Sequence, residues 1–278
     1  MGNSSFSNLR NAFRLKQFSR KYLSIPYGVF MVMFIILPLV ILFLYAFTER
    51  KFDGSLTLNF TIANFKEVFS PTNLDMLERS FKIGIISTLA CLIIGYPIAL
   101  ILNRSTLKHK NVIVMLFMLP MWVNFLIRTL ATKAVFEAMD IKLGEFSVTF
   151  TMIYNYLPYM IMPIYNVIEK IDNCLYEGAR DLGANEFTVL RKVTVPLSLP
   201  GILSGITMVF MPSITTFAIA NIMSNNTYIL VGDYIYSESF ISFNVASAIS
   251  LIILVVIGIS MAIVNKYDKD GNAQGGMM

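Results

Sequence analysis

The sequence predicts an all-α membrane protein with six transmembrane helices. The chain has 278 residues, of which 56% are hydrophobic and only 14% are charged, and an ordinary soluble domain carries about a quarter charged residues. The apolar residues gather into six blocks with almost no charge, each near the ~20 residues that an α-helix needs to cross a hydrocarbon core. Every Asp and Glu lies outside these blocks.

The predicted spans make up one domain, residues 25–265, and the first is too long for a cleaved signal peptide. The spans cover residues 25–47, 80–102, 112–132, 147–168, 201–223 and 244–265. Ahead of them, the segment 1–24 spaces Phe6, Leu9 and Phe13 at helical intervals among basic residues. This pattern predicts an amphipathic helix on the inner leaflet, with docking onto a partner as the alternative. Residues 266–278 form a short tail.

The distribution of Lys and Arg predicts the orientation. Basic residues are about twice as frequent on the side that holds the N-terminal segment, the second and fourth loops and the C-terminal tail. Because cytoplasmic loops carry the excess of basic residues, both termini are expected in the cytoplasm. An even number of spans agrees with this arrangement.

Several chemistries are missing from the sequence. No predicted span contains a carboxylate, which a proton- or sodium-coupled carrier usually needs to bind its coupling ion. The chain has no G-x-x-x-x-G-K-[ST] loop for ATP. His109 lies in a basic loop, and Cys91 and Cys174 are expected to be unpaired thiols. If the protein drives transport, a partner must therefore supply the energy. The alternative functions are an ATP-independent carrier or channel and a scaffold subunit that conducts nothing.

The fourth loop, residues 169–200, has the pattern of two short amphipathic helices. Leu175, Ala179 and Leu182 form an apolar stripe at helical spacing, and Gly183 interrupts it. A second stripe (Phe187, Leu190 and Val193) is expected to end at Pro196. Such an element suits insertion into a groove on another protein, or it rests on lipid as an interfacial pair. The pattern alone leaves both interpretations open.

The residues of this loop resemble a known motif. Glu177-Gly178-Ala179, then Gly183, then Val193-Thr194-Val195-Pro196 is similar to the EAA loop of bacterial ABC importer permeases, with Gly178 in place of the usual Ala. The resemblance implies the type I importer permease fold, with the segment 175–193 coupling to an ATP-hydrolysing subunit. The coupling residues that it implies are Glu177, Gly178, Ala179, Asp181, Leu182, Gly183, Ala184 and Pro196.

Other segments resemble the spermidine/putrescine permeases of the PotB type. They are Ser87-Thr88-Leu89-Ala90-Cys91-Leu92, Gly95-Tyr96-Pro97, the stretch from Pro120 to Arg128, Ile168-Glu169-Lys170-Ile171-Asp172 and Ala179-Arg180-Asp181-Leu182-Gly183-Ala184. The resemblance implies a polyamine importer in the bacterial cytoplasmic membrane, with an anion or a metal ion as the alternative substrate. It implies a second permease in a heterodimer, two ATP-binding subunits that use ATP and Mg²⁺, and an extracytoplasmic polyamine-binding protein. This chain itself is expected to bind no cofactor and no nucleic acid.

Polar and aromatic residues within the spans are candidates for the substrate pathway. Aromatic rings attract ammonium groups, amides accept hydrogen bonds from them, and a kink at Pro212 frees backbone carbonyls. Arg128 either lines the pathway or pairs and snorkels at a helix end. The candidates are Trp122, Asn124, Arg128, Tyr154, Asn155, Tyr156, Pro212 and Asn221. Asp233 and Glu238 are expected at an acidic outer entrance, which raises the local concentration of a polycation.

Overall fold

The computed structural model of the chain describes residues 25–49, 59–105 and 110–275, with side chains for all of these except residues 111 and 263–275. The predicted N-terminal helix and His109 lie outside the described residues. Within the described part the chain is helical, apart from an isolated antiparallel bridge between Thr48 and Phe60. This agrees with the all-α prediction.

The helices follow one another with short connections. They are α1 (Ile25–Ala46), α2 (Ala63–Val68), α3 (Pro71–Arg104), α4 (Lys110–Trp122), α5 (Phe125–Ala138), α6 (Glu145–Ile168), α7 (Asn173–Asp181), α8 (Glu186–Thr215), α9 (Ile219–Ser224), α10 (Val231–Ile241) and α11 (Phe243–Gly275).

Helices α3, α6 and α8 pack against one another and form the centre of the molecule. Small residues let α6 and α8 approach closely. A Cβ atom on Gly205 would lie 2.7 Å from Sδ of Met160, and one on Gly201 would lie 2.8 Å from the carbonyl oxygen of Pro163. Close approach through small residues is the usual way that membrane helices pack, because lipid gives no hydrophobic drive for their association.

Helix α1 lies at the side of this centre and packs mainly against α11. Its apolar residues stay exposed, among them Phe30 at 55% and Phe34 at 61%. A helix that is apolar on every side and uncovered by protein is suited to contact with lipid. Two buried amides hold the end of α1, since Asn64 donates to the carbonyl of Ala46 at 3.0 Å and Asn244 donates to that of Tyr45 at 3.0 Å.

The third predicted span, 112–132, is not one straight helix. Helix α4 ends at Trp122, α5 begins at Phe125, and the two are bent by 93°. Asn124 adopts an extended conformation at the break, and its Oδ1 accepts a hydrogen bond from the backbone N–H of Leu126 at 2.8 Å. An Asn side chain that caps a helix in this way competes with helix continuation, so the apolar block breaks there.

The fifth predicted span, 201–223, has different limits. Helix α8 begins at Glu186 in the fourth loop and ends at Thr215, and α9 follows after a short break. The prediction that Pro196 ends the second loop helix is therefore wrong. A π-turn, Leu190–Thr194, closes with a hydrogen bond from Val195 N–H to the carbonyl of Leu190. This wider turn accommodates the missing N–H of Pro196, so the helix continues into the span.

Length and hydropathy single out α1, α3, α8 and α11 (Phe243–Ala262) among the described residues as candidate spans, and the bent pair of α4 and α5 as a fifth. Helix α6 has 24 residues and agrees closely with the predicted fourth span. Buried polar residues occur along its length, among them Ser147, Thr151 and Asn155. Because α6 packs against both α3 and α8, protein covers these side chains.

The close packing of α6 and α8 leads to a test of stability. Gly201→Ala places a Cβ against the backbone of α6, and overpacking of this kind costs about 1–3 kcal/mol. We expect a lower thermal unfolding midpoint for the purified protein in detergent. Gly258→Ala is the matched control, because a Cβ there meets nothing within 4 Å. Equal midpoints for the two variants would contradict this account of the contact.

Candidate coupling loop and translocation pathway

The fourth loop joins two of the closely packed central helices, α6 and α8, through the short helix α7. The side chain of Asp172 caps α7 by accepting a hydrogen bond from the backbone N–H of Cys174 at 3.0 Å, which lowers the pKa of this carboxyl. Asn185 caps α8 in the same way, accepting from the N–H of Thr188 at 2.8 Å. Each helix therefore begins at a residue type that prefers this position.

The turn between α7 and α8 is made at Gly183. Its φ of +79° is in the left-handed region, which non-glycine residues rarely adopt. Its N–H donates to the carbonyl of Arg180 at 2.8 Å, and the N–H of Ala184 donates to that of Ala179 at 3.1 Å. These bonds close the end of α7 in the manner of a glycine C-terminal cap. Gly178, by contrast, lies within the helix with open space around its Cα.

The side chains of this loop lie on the surface. The carboxylates of Glu177 and Asp181 are exposed. Apolar side chains are exposed beside them, with Leu182 at 91%, Phe187 at 69% and Leu175 at 49%. Uncovered leucine and phenylalanine side chains next to acidic groups are typical of a surface that a partner protein covers.

An ion-pair network ties the loop to the central helix α3. Oε1 of Glu186 lies 2.9 Å from Nε and 2.7 Å from Nη2 of Arg180, and Oε2 lies 2.9 Å from Nη1 of Arg104. These side chains are about half exposed, so the pairs contribute little to stability. They nevertheless hold α7, the start of α8 and the end of α3 in a defined geometry. Sequence analysis did not find this network, because Arg104 precedes Glu186 by 82 residues along the chain.

A second group of polar residues lies inside the molecule, where α5, α6 and α8 meet. Asn155 is fully buried, and its Nδ2 donates to Oγ1 of Thr129 at 3.3 Å. The hydroxyl of Tyr156 donates to the carbonyl of Pro212 at 3.3 Å, and it lies close to Thr216 just beyond the end of α8. We call the set Arg128, Thr129, Thr151, Asn155, Tyr156, Pro212 and Thr216 the interior polar cluster.

The interior polar cluster contains buried groups without partners among the described residues. They are Nε and Nη1 of Arg128, Oγ1 of Thr151 and Oδ1 of Asn155. Arg128 is only 8% exposed, so it does not snorkel to the surface of this chain. The spacing of Thr151 and Asn155 by four residues on α6 was a signal in the sequence that both face the same way.

Four of the predicted pathway residues lie outside the interior polar cluster. Trp122 is 76% exposed at the end of α4, and Tyr154 is 45% exposed. Asn124 serves as the cap of α5, and Asn221 is half-buried on α9. The structure thus brings together Arg128, Asn155, Tyr156 and Pro212 from the predicted set.

The two predicted entrance carboxylates are buried in this chain. Asp233 is 3% exposed and Glu238 is 9% exposed, both on α10. Oδ2 of Asp233 accepts a hydrogen bond from the N–H of Leu230 at 3.3 Å, while Oδ1 is buried without a partner among the described residues. Their place at an outer acidic entrance stays a prediction.

The conformation of the loop predicts opposite effects for its two glycines. Gly183→Ala forces a side chain into the left-handed region, and Gly178→Ala adds a better helix former in open space. Each change is worth about 1 kcal/mol, or about fivefold in local opening. We expect amide hydrogen exchange across residues 173–181 to become faster in Gly183→Ala and slower in Gly178→Ala. The same direction in both variants would contradict the turn geometry.

The burial of Asp233 predicts a pH dependence of stability. Burial raises the pKa of this carboxyl from 3.8 to about 7, so the folded protein holds the proton more tightly than the unfolded chain does. Protonation of Asp233 therefore stabilises the folded protein fully below about pH 4, and this contribution is lost as the pH rises towards 7. Asp233→Asn is expected to reduce the dependence of the thermal unfolding midpoint on pH over this range. Asp75→Asn, at an exposed carboxyl on α3, is expected to leave that pH dependence unchanged. An unchanged slope in Asp233→Asn would rule out this origin.

Comparison with known proteins identifies the family of this chain. Residues 95–269 match the model of the binding-protein-dependent transport system inner membrane component. The chain is 32% identical over 258 residues to the spermidine/putrescine transport system permease protein PotB of Haemophilus influenzae, covering 86% of this chain and 90% of the relative. It is 24% identical to the spermidine/putrescine transport system permease protein PotC of Escherichia coli, covering 86% of this chain and 92% of the relative.

The fold also matches solved structures. A bacterial ABC transporter involved in the import of the acidic polysaccharide alginate has a chain with a TM-score of 0.71 to this one at 14% identity, covering 95% of this chain and 99% of that chain. At this identity the likeness concerns the fold alone. The family assignment rests on the sequence matches, which cover most of the chain. The chain belongs to the family of inner membrane components of binding-protein-dependent transport systems, and it is a multi-pass permease subunit of the cytoplasmic membrane rather than an enzyme.

Proposed function

We propose that this chain is the permease subunit of an ATP-driven importer of spermidine and putrescine. The observation that carries the proposal is the fourth loop, which presents exposed Glu177 and apolar side chains and is joined directly to the central helices α6 and α8. The substrate follows from the sequence similarity to PotB of Haemophilus influenzae.

The proposed topology has six spans and both termini in the cytoplasm. The spans are α1, α3, the bent pair of α4 and α5, α6, α8 and α11. Helix α6 carries polar residues that lower its hydropathy, but its 24 residues are about 36 Å long, enough to cross a bilayer. Its position between α3 and α8 shields those polar residues from lipid. The excess of basic residues beside both termini supports their cytoplasmic placement.

The proposed assembly has a second, similar permease, two ATP-binding subunits and an extracytoplasmic polyamine-binding protein. The similarity to both PotB and PotC supports a heterodimer of two related permeases. An alginate importer solved with its periplasmic protein has a matching chain with a TM-score of 0.69. ATP and Mg²⁺ are then used by the ATP-binding subunits, and this chain contributes the surface that they contact.

The proposed mechanism transmits movement through the loop. Closure of the ATP-binding subunits moves α7, and the network of Arg104, Arg180 and Glu186 carries that movement to α3 as well as to α6 and α8. The three central helices then move together, and the protein shifts between inward-open and outward-open states. Glu177 and Gly183 have the roles of contact and turn in this loop.

The proposed pathway passes beside the interior polar cluster. Tyr156 and Asn155 offer a ring and amide oxygens to ammonium groups, and Pro212 lies where α8 ends and backbone carbonyls become available. Trp122 and Tyr154 are exposed in this chain, and in a heterodimer they are available to the second permease or to substrate.

Uptake of labelled spermidine and putrescine by vesicles tests the proposal. The vesicles hold this chain with its neighbouring transport subunits, and uptake is measured with and without ATP. Glu177→Lys is expected to reduce ATP-dependent uptake by about tenfold or more. The change replaces the carboxylate at the proposed contact with the ATP-binding subunit by a positive charge. The matched control is Asp75→Lys, which makes the same charge change at an exposed position on α3 and leaves uptake unchanged.

Two results would reject the proposed coupling to ATP, and a third would reject the proposed substrate. Polyamine uptake without ATP would favour an ATP-independent carrier. Normal uptake by Glu177→Lys, with the variant assembled in the membrane, would remove the loop from the coupling mechanism. Uptake of an anion instead of polyamine would keep the architecture and change the substrate.

A further inference from the structure

We propose that four aromatic side chains form a track that binds the ammonium groups of a polyamine on its way from the outer surface to the interior polar cluster. The side chains are Phe125, Phe217, Tyr236 and Phe240, and we call them the aromatic ladder. The inference rests on the proposed function and deepens it by assigning a binding site to residues that the sequence analysis did not single out. It starts from one observation, a continuous series of ring contacts that joins three segments of the chain.

The rings of the aromatic ladder follow one another at similar distances. The ring centroids of Phe125 and Phe217 are 6.1 Å apart, those of Phe217 and Tyr236 are 5.4 Å apart, and those of Tyr236 and Phe240 are 5.3 Å apart. The first and last pairs are edge-to-face, and the middle pair is stacked. Aromatic pairs at this spacing attract one another, so the contacts help to hold the rings in place. The ladder thereby links the start of α5, the break after α8 and helix α10.

The inner end of the ladder lies at the interior polar cluster. The carbonyl of Phe125 accepts a hydrogen bond from Oγ1 of Thr129 at 2.8 Å, and Phe217 directly follows Thr216. Thr129 is bonded in turn to Asn155, which lies ten residues from the start of α6 and thirteen from its end. At 1.5 Å per residue this point is about 15 Å from one end of α6 and about 20 Å from the other. The inner end is therefore deep within the membrane in the proposed topology.

The outer end of the ladder is exposed. Phe217 is 43% exposed, Tyr236 is 53% exposed and Phe240 is 77% exposed. Helix α10 follows α8 and precedes α11, so it lies on the extracytoplasmic side in the proposed topology. The ladder thus runs inward from the surface, whereas the interfacial aromatic residues of membrane proteins form a belt at the level of the headgroups.

The charges around the ladder favour a cation. Helix α10 carries two carboxyl groups, Asp233 and Glu238, and no Lys, Arg or His occurs from residue 193 to residue 265. The face of an aromatic ring is negative, and it attracts an ammonium group within about 6 Å of the ring centroid. Because the acidic residues add to this attraction and no basic residue of the same segment opposes it, the exposed rings suit a cation better than an anion.

A polyamine matches the spacing of the rings. Its ammonium groups are joined by short alkyl segments, which are comparable in length to the distance from one ring of the ladder to the next. Successive ammonium groups can therefore contact successive rings while the alkyl segments lie against the apolar ring edges. Each contact is weak, and a series of weak sites lets a substrate move from one to the next without being retained.

Substitutions that remove the ring but keep an apolar side chain test the inference in the complete transporter in vesicles. Phe240→Leu and Tyr236→Leu are each expected to lower ATP-driven spermidine uptake by about threefold to thirtyfold, the range for loss of one cation–π contact. Tyr236→Phe keeps the ring and is expected to recover most of the uptake that Tyr236→Leu loses. The matched control is Phe146→Leu on α6, at a ring that is 67% exposed and contacts Phe150 outside the ladder. This control is expected to transport normally.

A fluorinated series at residue 240 measures the electrostatic part of the contact alone. Fluorine withdraws electrons from the ring face with little change in ring size, so assembly and apolar contacts are kept. We expect uptake to fall stepwise from phenylalanine through its mono-, di- and trifluorinated forms, because the attraction between the ring and a cation weakens at each step. The same series at residue 146 is expected to have no effect. ATP hydrolysis stimulated by the loaded binding protein is expected to stay at the wild-type level, since the ladder acts on polyamine after its release.

Three outcomes would overturn the inference. Wild-type uptake by both leucine variants would make the ladder an apolar contact with lipid or with the second permease. Equal uptake across the fluorinated series would remove the cation–π contact. Loss of stimulated ATP hydrolysis together with uptake would make the ladder a docking surface for the binding protein. In each of these cases the wild-type transporter still takes up polyamine, so the proposed function is unaffected. No ATP-driven polyamine uptake by the wild-type transporter would instead refute the proposed function, and with it the ligand assigned to the ladder.

Discussion

The close contact between α6 and α8 is the interaction on which the rest of the structure depends. Gly201 and Gly205 let α8 lie directly on α6, with room for no Cβ at either position. Because the fourth loop connects these same two helices, its short helix α7 is attached at both ends to closely packed helices. A displacement of α7 is therefore expected to move α6 and α8 with it, because the connections between these helices are short.

Helix ends within the membrane are tolerated only where protein covers them, since backbone groups have no water to bond there. The end of α8 is covered in this way, whereas residues 122–124 between α4 and α5 are exposed in this chain. The break between α4 and α5 uses the side chain of Asn124, and the end of α8 uses Pro212, whose carbonyl accepts from Thr216 N–H and from the Tyr156 hydroxyl. The interior polar cluster lies where these breaks approach α6, so the irregular backbone and the buried polar side chains occupy one region.

The sequence predicted much of the fold because spanning a membrane imposes a simple pattern. Helix α6 agrees with the predicted span 147–168 within two residues, and α1 agrees with 25–47 within one. The turn between α7 and α8 was predicted from Gly183. The prediction at Pro196 was wrong because a proline normally ends a helix, and a π-turn at Leu190–Thr194 is a local adjustment without a composition signal.

The sequence by itself indicated the membrane environment, several of the apolar helices and the family resemblance of the loop, because hydropathy, helical period and motif spacing are properties of neighbouring residues. Only the tertiary structure decided which polar side chains meet. It brought Arg104 to Glu186 and Asn155 to Thr129, left Trp122 exposed, and buried Asp233 and Arg128. These outcomes depend on which helix packs beside which, and residues far apart in the sequence carry no local signal of their partners.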